Sequence, residues 1–181
     1  MIPMITQLSS KIVYKNAWMT VREDDVAFSN GHKGIYGVVH KTDFALIIPF
    51  DGENLHVVQQ YRYPTQQHSI EFPQGMHQDD PQIDPLELAK AELLEETGLE
   101  ARSMIHLGSL HEAPGYSDQG FHIYFATDLN QKETNLEITE AGLERMVMSI
   151  KEFEAAILSG NITDASTVSA YGLLRMKKLL P

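Results

Sequence analysis

Three glutamates close together in the sequence are the side chains best suited to chemistry. Glu95 and Glu96 follow Glu92 by three and four residues, so in a helix all three lie on one flank. Like charges at this spacing destabilise a helix by about 0.2–0.5 kcal/mol per pair. A bound cation offsets that repulsion, and so does water on an exposed face. The triplet alone leaves both interpretations open, and a solvated acidic face is the more common of the two.

The surrounding sequence has the features of a capped helix. Asp84 can serve as the N-cap, Pro85 suits the first helical position, and Glu87 stands where a capping box places its acid. Gly98 can adopt the left-handed conformation that ends a helix. We therefore predict a helix over residues 84–98. Its predicted buried face comprises Leu86, Ala89 and Leu93.

The segment before this helix favours an oxygen-rich metal site. Residues 71–75 have the pattern of a strand that ends in a turn with Pro and Gly, which can direct backbone carbonyls toward the helix. A turn carbonyl and two or three carboxylates suit Mg²⁺ or Mn²⁺. Such ions neutralise charge on phosphate oxygens and lower the pKa of bound water. The predicted chemistry is transfer of a phosphoryl or nucleotidyl group to water.

The composition narrows the class of protein. A chain of 181 residues with 43% hydrophobic residues has the size of one ordinary domain. The absence of cysteine excludes disulfides, thiolate zinc sites and thiol nucleophiles. A net charge of −11 argues against general binding to nucleic acid or anionic membranes. With no secretory pattern and no membrane-length apolar run, we expect a cytoplasmic protein.

The order of the predicted elements indicates a mixed sheet covered by helices. Strands are predicted at residues 11–15, 19–28, 34–41, 44–50 and 55–62, and after the helix at residues 104–110, 121–127 and 145–150. Two final helices are predicted at residues 151–159 and 164–180. The first strands favour a small β subdomain at residues 1–41, followed by a main domain at residues 42–181.

Residues 75–99, which end in AELLEETGL, resemble the Nudix box, whose pattern is G-x5-E-x7-R-E-U-x-E-E-x-G-U with U aliphatic. Further segments in the right order resemble the ADP-ribose and ADP-sugar pyrophosphatase branch of that family: Trp18 with residues 21–24, then residues 60–64, 113–118 and 159–165. The resemblance extends over roughly residues 11–178. Several separate motifs in order make it specific.

This resemblance implies an α/β (α+β) fold, a Nudix-type α/β/α sandwich with a mixed sheet preceded by the small N-terminal antiparallel β subdomain. It implies hydrolysis of the diphosphate bond of ADP-ribose or a related nucleoside diphosphate sugar. The products are a nucleoside monophosphate and a sugar phosphate, and the cofactor is Mg²⁺ or Mn²⁺. It also implies a homodimer, with residues 1–41 serving in dimerisation and base binding and residues 42–181 forming the catalytic domain.

The box departs from the family pattern in three places. Ile83 stands where the pattern has its first glutamate, Ala91 stands where it has arginine, and the loop after Gly75 is two residues longer. In the family the arginine is thought to pair with the glutamate that matches Glu95, and alanine cannot supply that pair. Either the metal site is retained without the pair, or it has weakened. Because the other motifs persist, we expect retained activity.

The resemblance also implies the roles of individual acids. Glu92 and Glu96 are expected to bind the metal, together with the backbone carbonyl of Gln74. Glu95 is expected to be an auxiliary ligand or a group that orients water, although a solvated surface acid is an open alternative. The catalytic base is expected from an acidic loop at residues 135–144, with Glu140 as first choice and Glu137 as second.

Substrate-binding residues follow from the neighbouring motifs. Arg62 suits a diphosphate contact, because guanidinium offers two parallel donors to phosphate oxygens. Trp18 is expected to stack on the base, although a lone tryptophan is more often part of a core. The remaining predicted contacts are Gln60, Ser117 and Asp118. Three alternatives stay open: a GDP-mannose pyrophosphatase, a dinucleotide pyrophosphatase, and a catalytically weak sensor that binds nucleotide sugars.

Overall fold

The computed structural model describes residues 4–77, 80, 82–132 and 142–181. Its first part is a three-stranded antiparallel sheet in the order β1-β2-β3. The strands are β1 (Ile5–Lys15), β2 (Thr20–Phe28) and β3 (Lys33–His40). The predicted N-terminal antiparallel sheet is therefore present, while the division of the chain after residue 41 stays a prediction.

Two further sheets and the helices form the rest of the described chain. The four-stranded sheet has the order β7-β4-β9-β8, with β4 (Phe44–Pro49), β7 (Gln74–Gly75), β8 (Leu99–His111) and β9 (Gly120–Gln131). The three-stranded sheet has the order β10-β5-β6, with β5 (Asn54–Arg62), β6 (Gln67–Glu71) and β10 (Glu144–Ser149). The helices are α1 (Pro85–Thr97), α2 (Ile150–Ser159) and α3 (Ala165–Met176).

The central strand β4 is buried on both faces, because helices cover both sides of the four-stranded sheet. β4 runs parallel to β9 and antiparallel to β7, so the sheet is mixed. Ala45 and Ile47 pack with α1, whereas Leu46 and Ile48 pack with α2 and α3. This is an α/β/α sandwich, and the predicted fold class is confirmed. No helix in the described ranges is long and apolar enough to cross a membrane.

Helix α1 begins and ends where the sequence predicts. The Asp84 carboxylate accepts hydrogen bonds from the backbone N–H of Leu86 at 2.9 Å and of Glu87 at 3.2 Å, and Gly98 ends the helix with a φ of 65°. The capping-box prediction is only half right. Glu87 Oε1 accepts a hydrogen bond from Lys90 Nζ at 2.7 Å. The Glu87 carboxylate therefore forms a surface ion pair instead of the second half of a capping box.

The largest differences from the predicted boundaries lie at strand ends. β1 begins at Ile5 instead of residue 11, and all its residues are exposed, so burial imposes no alternation by which the start could be recognised. β9 extends to Gln131 because it pairs with β8 along its whole length. Helix α3 ends at Met176, four residues before the predicted end. Lys178 has a positive φ of 57°, and a right-handed helix cannot continue through that conformation.

Candidate active site

Strand β7 places a backbone carbonyl beside helix α1. Ile47 N–H donates to the Pro73 carbonyl at 2.9 Å, so this pair is hydrogen-bonded across the β4–β7 ladder. In antiparallel pairing, the next residue along, Gln74, directs its N–H and C=O away from β4. Its N–H donates to Glu96 Oε2 at 3.0 Å. The Gln74 carbonyl therefore lies on the edge that faces Glu96, as a shared metal site requires.

Gly75 makes room for the second buried glutamate. A Cβ atom at Gly75 would lie 2.3 Å from Glu92 Oε2, a distance that real contacts do not reach. Glu92 and Glu96 are only 9% and 2% exposed, whereas Glu95 is half-buried. Buried carboxylates are unfavourable unless hydrogen bonds or cations compensate them. Two buried carboxylates beside a backbone carbonyl fit the hard oxygen ligands of Mg²⁺ or Mn²⁺.

These groups do not complete a metal shell by themselves. Within the described residues, no three His, Asp or Glu side chains converge closely enough to hold an ion alone. Ions of the Mg²⁺ type usually keep several waters and take further ligands from phosphate oxygens. The predicted base residues Glu137 and Glu140 lie outside the described residues, and their roles stay predictions.

Arg62 is held by a buried carboxylate that the sequence prediction missed. On the antiparallel pair β5–β6, Val58 lies opposite Glu71, and the even spacing from Val58 places Arg62 on the same face of the sheet. Arg62 Nε donates to Glu71 Oε1 at 2.9 Å, and Arg62 Nη2 donates to Oε2. Burial alone raises the pKa of Glu71, but the hydrogen bonds and charge of Arg62, with further hydrogen bonds from Gln74 and Ser69, outweigh burial and lower that pKa.

Arg62 and β7 line the same cleft, which has a volume of about 510 Å³. Its other polar lining residues include Lys41, Ser69, Glu71, Glu112, Gln119, Asp164 and Ser166. Glu112 Oε2 accepts from Ser166 Oγ at 2.8 Å, and Asp164 caps α3 by accepting from Thr167 N–H at 2.7 Å. Burial raises the pKa of Asp164, and the nearby charges of Glu71 and Glu112 raise it further. Among the described residues, the cleft thus places the Arg62 guanidinium and Lys41 beside the carboxylates of Glu71, Glu112 and Asp164.

Trp18 and Gln60 are not among the described residues that line this cleft. Trp18 is 54% exposed on the turn between β1 and β2, where its backbone N–H donates to Asn16 Oδ1 at 2.9 Å. The interpretation of Trp18 as a core residue is therefore wrong, and base stacking stays a prediction. Gln60 is half-buried opposite Ser69, and it is not among the described residues that line the cleft.

Ser117 and Asp118 join their loop to the N-terminal sheet. Ser117 Oγ donates to the Val39 carbonyl at 3.0 Å, and Asp118 N–H donates to the same carbonyl at 3.2 Å. The Asp118 carboxylate lies 3.0 Å from His40 Nδ1 and 4.0 Å from Arg22. These contacts give both residues a structural part, and their substrate role stays a prediction. The next residue, Gln119, does line the cleft and donates to the Thr42 carbonyl at 2.7 Å.

The sequence is similar to a known family model and to several known proteins. Residues 5–39 match a family model described as the nucleoside diphosphate sugar hydrolase N-terminal domain. The chain is 30% identical to the ADP compounds hydrolase NudE of Escherichia coli, over 68% of this chain and 67% of that protein. It is 30% identical to the ADP-ribose pyrophosphatase of Mycobacterium tuberculosis, over 90% and 79% of the two chains. It is 28% identical to the methanol dehydrogenase activator of Bacillus methanolicus, over 96% and 94%.

The fold is also similar to that of a solved hydrolase. A crystal structure of an ADP compounds hydrolase superposes with a TM-score of 0.85 at 26% identity, covering 96% of this chain and 94% of the other. Because the α/β/α sandwich matches that hydrolase over nearly the whole of both chains, the chain is a hydrolase of the Nudix class. The chain belongs to the ADP-ribose and ADP-sugar pyrophosphatase branch of the Nudix family, and the predicted resemblance is confirmed.

Restoring the family's arginine is expected to change little. Ala91 is exposed and Glu95 is half-buried one turn further along α1, so an arginine in Ala91→Arg has room and can reach Glu95. Exposed pairs at this spacing contribute about 0.3–0.5 kcal/mol. We expect kcat/KM to change by less than about threefold. The measurement is steady-state kinetics of Ala91→Arg and of the control Ala91→Gln, which lengthens the side chain without adding charge. A gain of about tenfold in Ala91→Arg alone would mean that the altered box had weakened the site.

Proposed function

We propose that this enzyme hydrolyses the diphosphate bond of ADP-ribose or a related nucleoside diphosphate sugar, releasing a nucleoside monophosphate and a sugar phosphate. The observation that carries the proposal is the position of Arg62. Its guanidinium, held by Glu71, lines the same cleft as Gln74 and Gly75, which contact the buried glutamates of α1. A diphosphate bound in this cleft would contact the Arg62 guanidinium on one side. On the other side it would contact the end of β7, where the proposed metal ligands lie. Relatives named ADP-ribose pyrophosphatase and ADP compounds hydrolase support this substrate class.

The proposed cofactor is Mg²⁺ or Mn²⁺. Glu92, Glu96 and the Gln74 carbonyl would hold the ion, with Glu95 as an auxiliary ligand or water-orienting group. The fit is supported by Gly75, whose missing side chain leaves the Glu92 carboxylate beside the strand end. When bound, the ion supplies positive charge to the diphosphate oxygens and lowers the pKa of the attacking water.

The chain's own residues then have distinct parts. Arg62 would bind diphosphate oxygens through the N–H groups that Glu71 leaves unused, which fixes the phosphorus relative to α1. Glu140, or failing it Glu137, would take the proton of the attacking water. The oxygen of that water bonds to phosphorus as the bridging P–O bond breaks. The bridging oxygen leaves with the other phosphate.

The test is a panel of substrates incubated with the purified protein in Mg²⁺, in Mn²⁺ and in excess EDTA. ADP-ribose and other ADP-sugars are expected to release AMP in either metal but not in EDTA. GDP-mannose and dinucleotides are the rival substrates within the enzyme class, and a kcat/KM higher for one of these than for every ADP-sugar would replace the proposed specificity.

A second candidate is a catalytically weak sensor of nucleotide sugars, favoured by the alanine and isoleucine that replace box residues at Ala91 and Ile83. It predicts binding without turnover. Calorimetry with ADP-ribose alongside the product assay separates the two functions: saturable binding and no AMP from any substrate would support the sensor.

We also propose a homodimer and a cytoplasmic location. The N-terminal sheet has many exposed large apolar side chains: Ile5, Leu8, Ile12, Val13, Tyr14, Trp18, Ile35 and Tyr36. Exposed apolar patches of this kind mark interaction surfaces. A second copy that packs against one face of this sheet would bury the apolar side chains on that face. Light scattering is expected to give a molecular mass twice the chain mass of 20.4 kDa.

A further inference from the structure

We propose that Glu71 is a positioning residue that aims the Arg62 guanidinium into the cleft and ties it, through Gln74, to the strand beside the α1 glutamates. The inference rests on the proposed function, in which Arg62 binds the substrate's diphosphate. It assigns to a buried carboxylate the task of keeping the phosphate-binding group and the metal-binding strand end at a fixed separation.

Glu71 accepts hydrogen bonds from one edge of the Arg62 guanidinium and leaves the opposite edge for a ligand. Glu71 is 1% exposed, whereas the Arg62 side chain is 41% exposed. The two bonds to Glu71 take the Nε–H and one Nη2–H. A guanidinium has five N–H donors in a fixed plane, so three remain, and two of them point outward as a parallel pair. That outward edge can give two parallel hydrogen bonds to a phosphate.

Glu71 also orients Gln74. Gln74 Nε2 donates to Glu71 Oε2 at 2.9 Å, while the backbone N–H of Gln74 donates to Glu96 Oε2 at 3.0 Å. Gln74 Oε1 is buried and has no hydrogen-bond partner among the described residues. A flipped amide would place that oxygen against the Glu71 carboxylate, so Glu71 fixes the amide orientation. One continuous set of contacts therefore runs from Arg62 through Glu71 and Gln74 to Glu96.

The charges around Arg62 explain why its direction needs fixing. Asp164 and Glu96 are close enough to act on the guanidinium electrostatically, in addition to Glu71. Arginine has a long and flexible side chain, and these neighbouring carboxylates offer it competing partners. Without the bidentate contact to Glu71, the guanidinium is free to turn toward Asp164, away from a bound diphosphate. A buried ion pair that served stability alone would not need its outer edge in the cleft.

The experiment compares Glu71→Gln with Asp24→Asn. Asp24 is a matched control, because it is a buried carboxylate paired with an arginine, Arg22 Nε to Oδ2 at 3.1 Å, in the N-terminal sheet. The first readout needs no turnover: calorimetric binding of inorganic diphosphate in EDTA. We expect Glu71→Gln to weaken this binding by about tenfold or more, and Asp24→Asn to leave it unchanged. Unchanged binding in Glu71→Gln would overturn the proposal, whether or not the enzyme turns over ADP-ribose.

The second readout is rescue by free guanidinium ion, with Glu71 intact. Arg62→Ala leaves the buried carboxylate without its cation, and a millimolar guanidinium salt can occupy that place. We expect KM for ADP-ribose to rise more than kcat falls in Arg62→Ala, and guanidinium to recover part of the loss. The double variant Arg62→Ala with Glu71→Gln should show no recovery. Equal recovery in both variants, or a loss in kcat alone, would contradict a positioning role. If Glu71→Gln fails to fold, the single variant Arg62→Ala still tests the proposal, because it keeps Glu71: no recovery by guanidinium in that variant would contradict the positioning role.

Discussion

Replacing Glu96 by glutamine is expected to lower kcat by at least about 100-fold while the protein stays folded. The amide has nearly the shape of the carboxylate, and its oxygen can still accept the Gln74 N–H that Glu96 accepts at 3.0 Å. What is lost is the negative charge at a side chain only 2% exposed, beside the proposed cofactor. Initial rates of AMP release across a Mg²⁺ titration, together with circular dichroism and thermal unfolding, measure both parts of this expectation.

The control for Glu96→Gln lies on the same helix. Glu87 is in the first turn of α1, is exposed, and pairs with Lys90. Surface pairs of this kind contribute less than about 1 kcal/mol, so Glu87→Gln should keep its rate and nearly all its stability. A Glu96→Gln variant that matched Glu87→Gln in kcat at every Mg²⁺ concentration would remove Glu96 from the mechanism.

The second large effect is expected from a single methyl group, in Gly75→Ala. The new Cβ would lie 2.3 Å from Glu92 Oε2 and 2.5 Å from its Cδ, so the Glu92 carboxylate must move. That carboxylate is the far end of a flexible side chain, so its displacement disturbs the fold little. It does move a proposed metal ligand, and a misplacement of about 1 Å at a reacting centre can reduce the rate about 100-fold. Loss of kcat with a higher Mg²⁺ requirement is the expected kinetic result.

Gly172→Ala is the matched control for this variant. Gly172 lies within α3, and a Cβ there meets nothing within 4 Å. Alanine in a helix is about 0.5–1 kcal/mol more favourable than glycine, so the variant should be active and slightly more stable. If Gly75→Ala retained the Mg²⁺ dependence and rate of Gly172→Ala, then the position of Glu92 beside β7 would not matter for activity.

Local signals account for the parts of the site that the sequence predicts correctly. Helix α1 is recognisable because Asp84, Pro85 and Gly98 act within four residues of the backbone they cap. The same helix fixes the spacing of Glu92 and Glu96, so their common flank follows from the residue numbers alone. The alternation in β4 likewise follows from a period of two, once the strand is found.

Contacts between elements could not be predicted from such signals. Glu71 and Arg62 are nine residues apart and meet only because β5 and β6 pair in one register, which the local signals used for the prediction do not reveal. The contact of Asp118 with His40 joins segments 78 residues apart. A family motif can indicate that such residues matter, but it does not separate a substrate contact from a contact that holds a loop in place.

The close approach of Glu92 to Gly75 means that glycines in this chain are required for two different reasons. Gly98 and Gly160 have φ values of 65° and 78°, so a scan of substitutions should find asparagine the best-tolerated replacement there, since asparagine visits this conformation most readily. Gly75 has no positive φ, and its requirement is for volume. At this position every side chain should fail alike, and the damage should appear in metal affinity before it appears in folding.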